Sequence, residues 1–239
     1  MFVYVDGSQL EWRVACQCSG ELVGIQEIRD KVDFHSLNQE SFGLPSRLIA
    51  KKYIFRTIFN RGKGYAFSVD PDFMHVSTSV KYWDDVGQKF YEKYWRLNKW
   101  HDELVQTVAE GKPIVSPLGL FWNIPMGTKW DPYAVPVTMA INYPVQGTAA
   151  VIMATARVSI YKRLRKLGLL KECLMVSTVH DSITIDCPDH LVPTIVELFN
   201  SVFDDLVKNI RNYFQYDWIV PLAGECKIGK DMKNLEKVT

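Results

Sequence analysis

Leu174-Met-Val-Ser-Thr-Val179-His-Asp181-Ser-Ile-Thr-Ile-Asp186 reads as strand, turn, strand. Two runs rich in β-branched residues flank the polar triplet His180-Asp181-Ser182. An aspartate between two apolar strands is partly desolvated and needs a cation or a hydrogen-bond donor beside it. Near the N-terminus, Phe2-Val-Tyr-Val5 has the same β-forming character and ends at Asp6-Gly7-Ser8. If the two strands are neighbours, Asp6 and Asp181 converge. Facing carboxylates repel, and a hard divalent cation with oxygen ligands resolves the conflict, as in two-metal phosphoryl-transfer sites. Two unconnected turn aspartates fit these residues as well.

The remaining pattern is mostly helical. Gln9 to Ala15 reads as a helix with Ser8 as its cap, and Leu44 to Arg61 as another that stops at Gly62-Lys-Gly64. Tyr82 to Glu110 reads as one long amphipathic helix, with Trp83, Phe90, Tyr94, Leu97 and Leu104 as its packing stripe. Residues 112–138 are rich in Pro, Gly and β-formers and predict hairpins and loops. Val145 to Leu170, closing near Gly168, and Leu191 to Phe214 complete the helices. Strands and helices are segregated, so the class is α+β rather than alternating α/β.

Composition sets the bounds. The chain has 239 residues, 47% of them hydrophobic and 23% charged, enough for a substantial core and unlike collagen, coiled coils or disordered chains. No apolar run approaches the ~20 residues of a membrane span, and Asp6 and Glu11 interrupt any signal-peptide pattern. A cytoplasmic protein without membrane partners is expected. Five scattered cysteines offer neither a disulfide framework nor paired zinc ligands, so reduced thiols are expected.

The net charge is only +1, but the cations are concentrated. Pro45 to Ala66 holds Arg47, Lys51, Lys52, Arg56, Arg61 and Lys63 with no acid. Arg157 to Lys171 holds six more cations, again with no acid. These are two places for anions to sit, or two solvated helix faces. In the first stretch, Arg47, Lys51, Phe55 and Phe59 recur every four residues and share a helix face. Cations suit a polyphosphate, and rings beside them suit a stacked base or sugar.

Taken together, these motifs resemble the C-terminal part of a family A (DNA polymerase I-like) DNA polymerase, most like the bacteriophage branch. Asp6-Gly-Ser-Gln-Leu-Glu11-Trp-Arg13 is similar to that family's first polymerase motif, Arg47 to Gly64 to its second, and Val179-His-Asp181-Ser182 to its third. Asp33-Phe-His35, Asn142-Tyr-Pro-Val-Gln146-Gly-Thr-Ala-Ala150 and the closing segment from Gly224 to Asp231 fit in order and spacing. The resemblance implies a DNA-directed DNA polymerase with an antiparallel palm sheet and helical fingers, the thumb being absent. The implied division is palm at 1–28 and 135–239, and fingers at 29–134.

By the same resemblance, Asp6, Asp181 and the Gly7 carbonyl hold two Mg²⁺ ions, and Glu11 blocks a ribose 2′-hydroxyl. Arg47, Lys51 and His35 hold the triphosphate of a dNTP; Phe55 lies against its base and sugar, and Phe59 closes near the template base. Arg13, Asn142, Gln146 and His180 contact the primer–template. Two residues depart from the family. Phe59 stands where tyrosine is usual, which removes a hydroxyl that supports Glu11. Ser182 stands where a second acid is usual. The chain begins almost on its first motif, which implies a split polymerase whose second polypeptide supplies the thumb, the upstream palm and possibly a 3′–5′ exonuclease. A non-catalytic, polymerase-derived DNA-binding or assembly subunit and a metal-dependent nuclease are the alternatives.

Overall fold

A computed structural model describes residues 1–238 except Trp130, leaving the side chains of Phe59 and Asn60 aside. The chain divides into two compact units, Met1–Arg13 with Gly147–Thr239, and Val14–Gln146.

The first unit is built on β1 (Phe2–Gly7), which alternates half-buried and buried residues. Around it stand β4 (Leu174–Val179), β5 (Ser182–Asp186), β6 (Gly224–Gly229) and β7 (Glu236–Lys237), in the antiparallel order β4-β5-β1-β6-β7. Register places Val5 between Ile183 and Cys226, and Val3 opposite Ile185. These side chains form one buried face, and α9 (Val192–Phe214) packs on it. The helix turns Ile195, Leu198, Phe199, Val202, Phe203, Leu206 and Ile210 inward, the spacing of an amphipathic helix. Gly224 permits the close approach. A Cβ there would lie 2.7 Å from Val5 and 2.8 Å from Phe203. Because side chains alternate along a strand, Tyr4, Asp6, Ser182, Glu225 and Lys227 share the opposite face.

The second unit is helical. After the remainder of α1 (Leu10–Ser19) come α2 (Leu22–Arg29), α3 (Phe34–Phe42), α4 (Arg47–Asn60), α5 (Gly64–Ser68), α6 (Val80–Lys93) and α7 (Trp95–Ala109). Helix α4 buries Ile49, Ala50, Tyr53, Ile54, Thr57 and Ile58. Tyr53 meets an aromatic cluster of Phe67, Phe73 and Trp83, with ring centroids 4.7–5.8 Å apart. Ile114–Val115 (β2) and Phe121–Trp122 (β3) form the expected hairpin. No helix among the described residues is long and apolar enough to cross a membrane.

Several elements differ from the sequence expectation. The pattern from Tyr82 to Glu110 is two helices that part at Tyr94. The fully buried Tyr94 donates its hydroxyl to Glu27 and Asn38 at 2.9 Å. The Glu21 carboxylate, remote in sequence, accepts from the backbone N–H groups of Arg96 and Leu97 and so caps α7. Helix α8 (Val137–Lys166) begins eight residues before Val145 and runs through Pro144. Proline removes one backbone bond, but Ala140, Ile141 and Val145 are fully buried around it. Helices α2, α3 and α5 were not anticipated.

The units part at Arg13/Val14 and Gln146/Gly147. The segment after Arg13 belongs with the helical unit through the Glu21 cap. The start of α8 does so through Ala140, which packs with Leu104, Val108, Ile114 and Ile124.

Candidate active site

Asp6 ends the central strand, directly across from Ser182 on β5 and Glu225 on β6. The Gly7 N–H donates to the Asp181 carbonyl at 2.8 Å, which ties the β4–β5 turn to the end of β1. His180 takes a left-handed conformation (φ 52°) in that turn, and the Ser182 hydroxyl closes it by donating to the Val179 carbonyl at 2.9 Å. The expected convergence follows: Asp6 stands across from Ser182, the residue after Asp181, and Gly7 is bonded to the Asp181 backbone.

Burial, and then the charge of Asp181, push the Asp6 carboxyl up to about 6. Its Oδ1 is buried without a hydrogen-bond partner among the described residues. An all-oxygen set with one unsatisfied carboxylate oxygen fits a hard divalent cation such as Mg²⁺. Among the described residues no group of three or more His, Cys, Asp or Glu is placed to hold a metal, so the candidate donors are the two carboxylates and the Gly7 carbonyl. The side chain of Ser182 is engaged by its own turn. Glu225, which sequence reading did not single out, raises the Asp6 carboxyl and Lys227 lowers it. The Glu225 carboxylate pairs with Lys237 at 3.2 Å.

Glu11 sits in the first turn of α1, and burial followed by the charge of Asp181 raises its carboxyl. Arg13 donates to the Ser8 and Pro221 carbonyls, each at 2.6 Å, bracing the β1–α1 turn against the approach to β6. His180 is exposed.

In the helical unit, α4 exposes Arg47 and Lys51 and half-buries Phe55. Phe59 lies on the same helix, but its side chain is outside the described residues. The six cations of this stretch are not equivalent. Lys52 pairs with Asp72, Arg56 with Asp70 and Arg61 with Asp102, whereas Lys51 lies over the Phe55 ring at 5.9 Å. Arg47 forms a two-bond pair with Asp33. His35 is buried, stacks on Phe55 at 6.1 Å and 29°, and has no hydrogen-bond partner for Nδ1 among the described residues. Burial, with Arg47 and Lys51 nearby, lowers it to about 4, so it is neutral at pH 7.

His101, fully buried beside Tyr91, is lowered to about 3, chiefly by burial. Both histidines bind a proton more readily when unfolded. Their contribution to stability is therefore complete above pH 6.5 and is lost as pH falls toward their folded values. Asp6, below about pH 6, and Glu11, whose carboxyl is also raised, act in the opposite sense and offset part of that loss. The expected melting temperature is level between about pH 7 and 8 and falls between pH 6.5 and 4.5. Calorimetry showing no fall across that window would contradict the assignment.

Asn142 and Gln146 are one turn apart on α8. Gln146 is exposed, and Asn142 Oδ1 is buried without a partner among the described residues. In the second basic stretch Arg163 pairs with Asp205 at 2.6 Å. Arg157, Lys162 and Arg165 help line a groove of about 620 Å³ beside β4.

The sequence and the fold both have relatives among known proteins. The profile of DNA polymerase family A matches residues 1–234. A DNA polymerase of Bacillus phage SP01 is 23% identical across 97% of this chain and 26% of its own length. The thermostable DNA polymerase I of Thermus aquaticus is 25% identical across 97% and 27%. The chain thus spans about a quarter of the length of these curated relatives. A solved polymerase domain of Pol1 from M. smegmatis, in complex with primer–template DNA and dNTP, superposes with a TM-score of 0.75 at 18% identity. It covers 96% of this chain and 39% of that one. An α+β fold with an antiparallel sheet, ordered motifs along the whole sequence and a matching family profile lead to one conclusion: the chain belongs to DNA polymerase family A.

Proposed function

We propose that the chain carries out template-directed nucleotidyl transfer, in which a primer 3′-hydroxyl attacks the α-phosphorus of a dNTP and pyrophosphate leaves. One observation carries this reading. In a family A chain, the end of the central strand at Asp6 is bonded to the turn that carries Asp181, with an Asp6 carboxylate oxygen unsatisfied. Asp6, Asp181 and the Gly7 carbonyl are the residues that hold two Mg²⁺ ions. Bound there, the ions supply Lewis-acid activation of the hydroxyl and neutralise charge on the phosphates.

The remaining roles belong to the chain's own side chains. Arg47 and Lys51 take up triphosphate charge, Arg47 with a fork suited to phosphate. His35, neutral in the free protein, adds a ring nitrogen to the triphosphate. Phe55 lies against base and sugar, and Glu11 excludes a ribose 2′-hydroxyl. Phe59 closes near the template base. His180, Asn142 and Gln146 contact the primer–template, and Arg13 braces the β1–α1 turn.

Single-nucleotide extension of a primed template with Mg²⁺ tests the proposal. The protein, with any copurifying polypeptide, is expected to add the dNTP that matches the template. Arg47→Ala is expected to raise the dNTP KM about tenfold to a hundredfold while changing kcat far less. DNA binding without incorporation would favour the assembly subunit, and primer shortening without dNTP the nuclease.

A further inference from the structure

The Asp33 carboxylate gathers hydrogen bonds from two elements. As the N-cap of α3 it accepts from the backbone N–H of His35 at 3.2 Å and of Ser36 at 3.4 Å, and from the Ser36 hydroxyl at 2.8 Å. It also accepts from Arg47 Nε at 2.8 Å and Nη2 at 3.1 Å. Arg47 is the first residue of α4, behind its own cap Ser46. One carboxylate thus fixes the backbone that carries His35 and the side chain of Arg47.

A guanidinium has two usable edges. Asp33 holds the Nε–Nη2 edge. Nη1 makes no hydrogen bond among the described residues, so the end-on edge, formed by Nη1 and the second hydrogen of Nη2, remains for an anion. The pair is half-exposed, with side-chain exposures of 53% and 46%, so solvent and a ligand both reach it. Arg47 holds the Asp33 carboxyl well below the usual range, so Asp33 stays ionised at any pH where the protein would work.

We propose that Asp33 is a positioning residue for the triphosphate: it aims the free edge of Arg47 and anchors His35 beside it, lowering the ordering cost when the nucleotide binds. The inference rests on the reading of Arg47 as a triphosphate ligand. The opposing possibility is that Asp33 competes with phosphate for Arg47, in which case its removal tightens nucleotide binding.

The test measures dNTP affinity in a complex with a dideoxy-terminated primer–template, where no chemistry follows, for the wild type, Asp33→Asn, Arg47→Ala and the double variant. Asparagine remains a good N-cap but cannot form the charged fork. Asp33→Asn is expected to weaken dNTP binding about threefold to tenfold, the scale of an exposed but bidentate ion pair. In the Arg47→Ala background the same change is expected to do almost nothing. Unchanged or tighter binding by Asp33→Asn overturns the proposal, as does an equal loss in both backgrounds, which marks a capping role alone. If Arg47→Ala itself leaves dNTP affinity unchanged, the underlying reading of Arg47 falls, and this inference with it.

Discussion

Replacing Asp181 by alanine is expected to lower Mg²⁺-dependent nucleotide incorporation at least about a thousandfold, because several kcal/mol of transition-state charge stabilisation depend on the shared site. The same change is expected to leave the fold intact. Asp181 lies in a turn already closed by Ser182 and tied down by the Gly7 N–H to its backbone carbonyl, and neither bond involves its side chain. Its charge also disfavours the ionised form of Asp6, whose carboxyl is raised to about 6 by burial and then by this neighbour. Without a divalent cation, removing one of two repelling carboxylates relieves that conflict, so the melting temperature of Asp181→Ala should equal or exceed that of the wild type. Steady-state extension with the melting curve measured alongside separates lost chemistry from lost structure. Activity within tenfold of the wild type would remove Asp181 from the reaction.

Phe199→Ala is expected to destabilise the sheet-bearing unit by about 3–5 kcal/mol, the range for emptying a fully buried aromatic position. Phe199 is 0% exposed at the middle of the inward stripe of α9, and the helix lies on the face formed by Val3, Val5, Ile183 and Ile185. That same sheet sets Asp6 beside Asp181, so loss of packing on one face blurs the geometry of the other. A denaturant titration should show a lower midpoint with little change in slope. A loss below about 1 kcal/mol would mean that the layer relaxes around the cavity.

The sequence was most legible where local pattern and function coincide. The β-branched runs around Asp181, the strand before Asp6 and the four-residue stripe of Arg47, Lys51 and Phe55 each carry their own periodicity, and each stands where that periodicity put it. Features that depend on remote partners were hidden. The break at Tyr94 rests on Glu21, Glu27 and Asn38, which lie far upstream. Pro144 reads as a helix stop, yet burial of its neighbours carries α8 through it. The acid-free run from Pro45 to Ala66 gives no hint that Arg47, Lys52, Arg56 and Arg61 already have acidic partners elsewhere in the unit. Glu225 faces Asp6 through a strand register that no local motif announces.

Binding of Mn²⁺ followed by electron paramagnetic resonance, in the wild type and in an Asp6→Asn/Asp181→Asn variant, reaches the central claim without relying on turnover. The account predicts that the wild type binds the ion and that the variant, folded and equally stable or more so, binds it at least about tenfold more weakly, as expected when both charged oxygen ligands are lost. Equal Mn²⁺ affinity in the two proteins would contradict it.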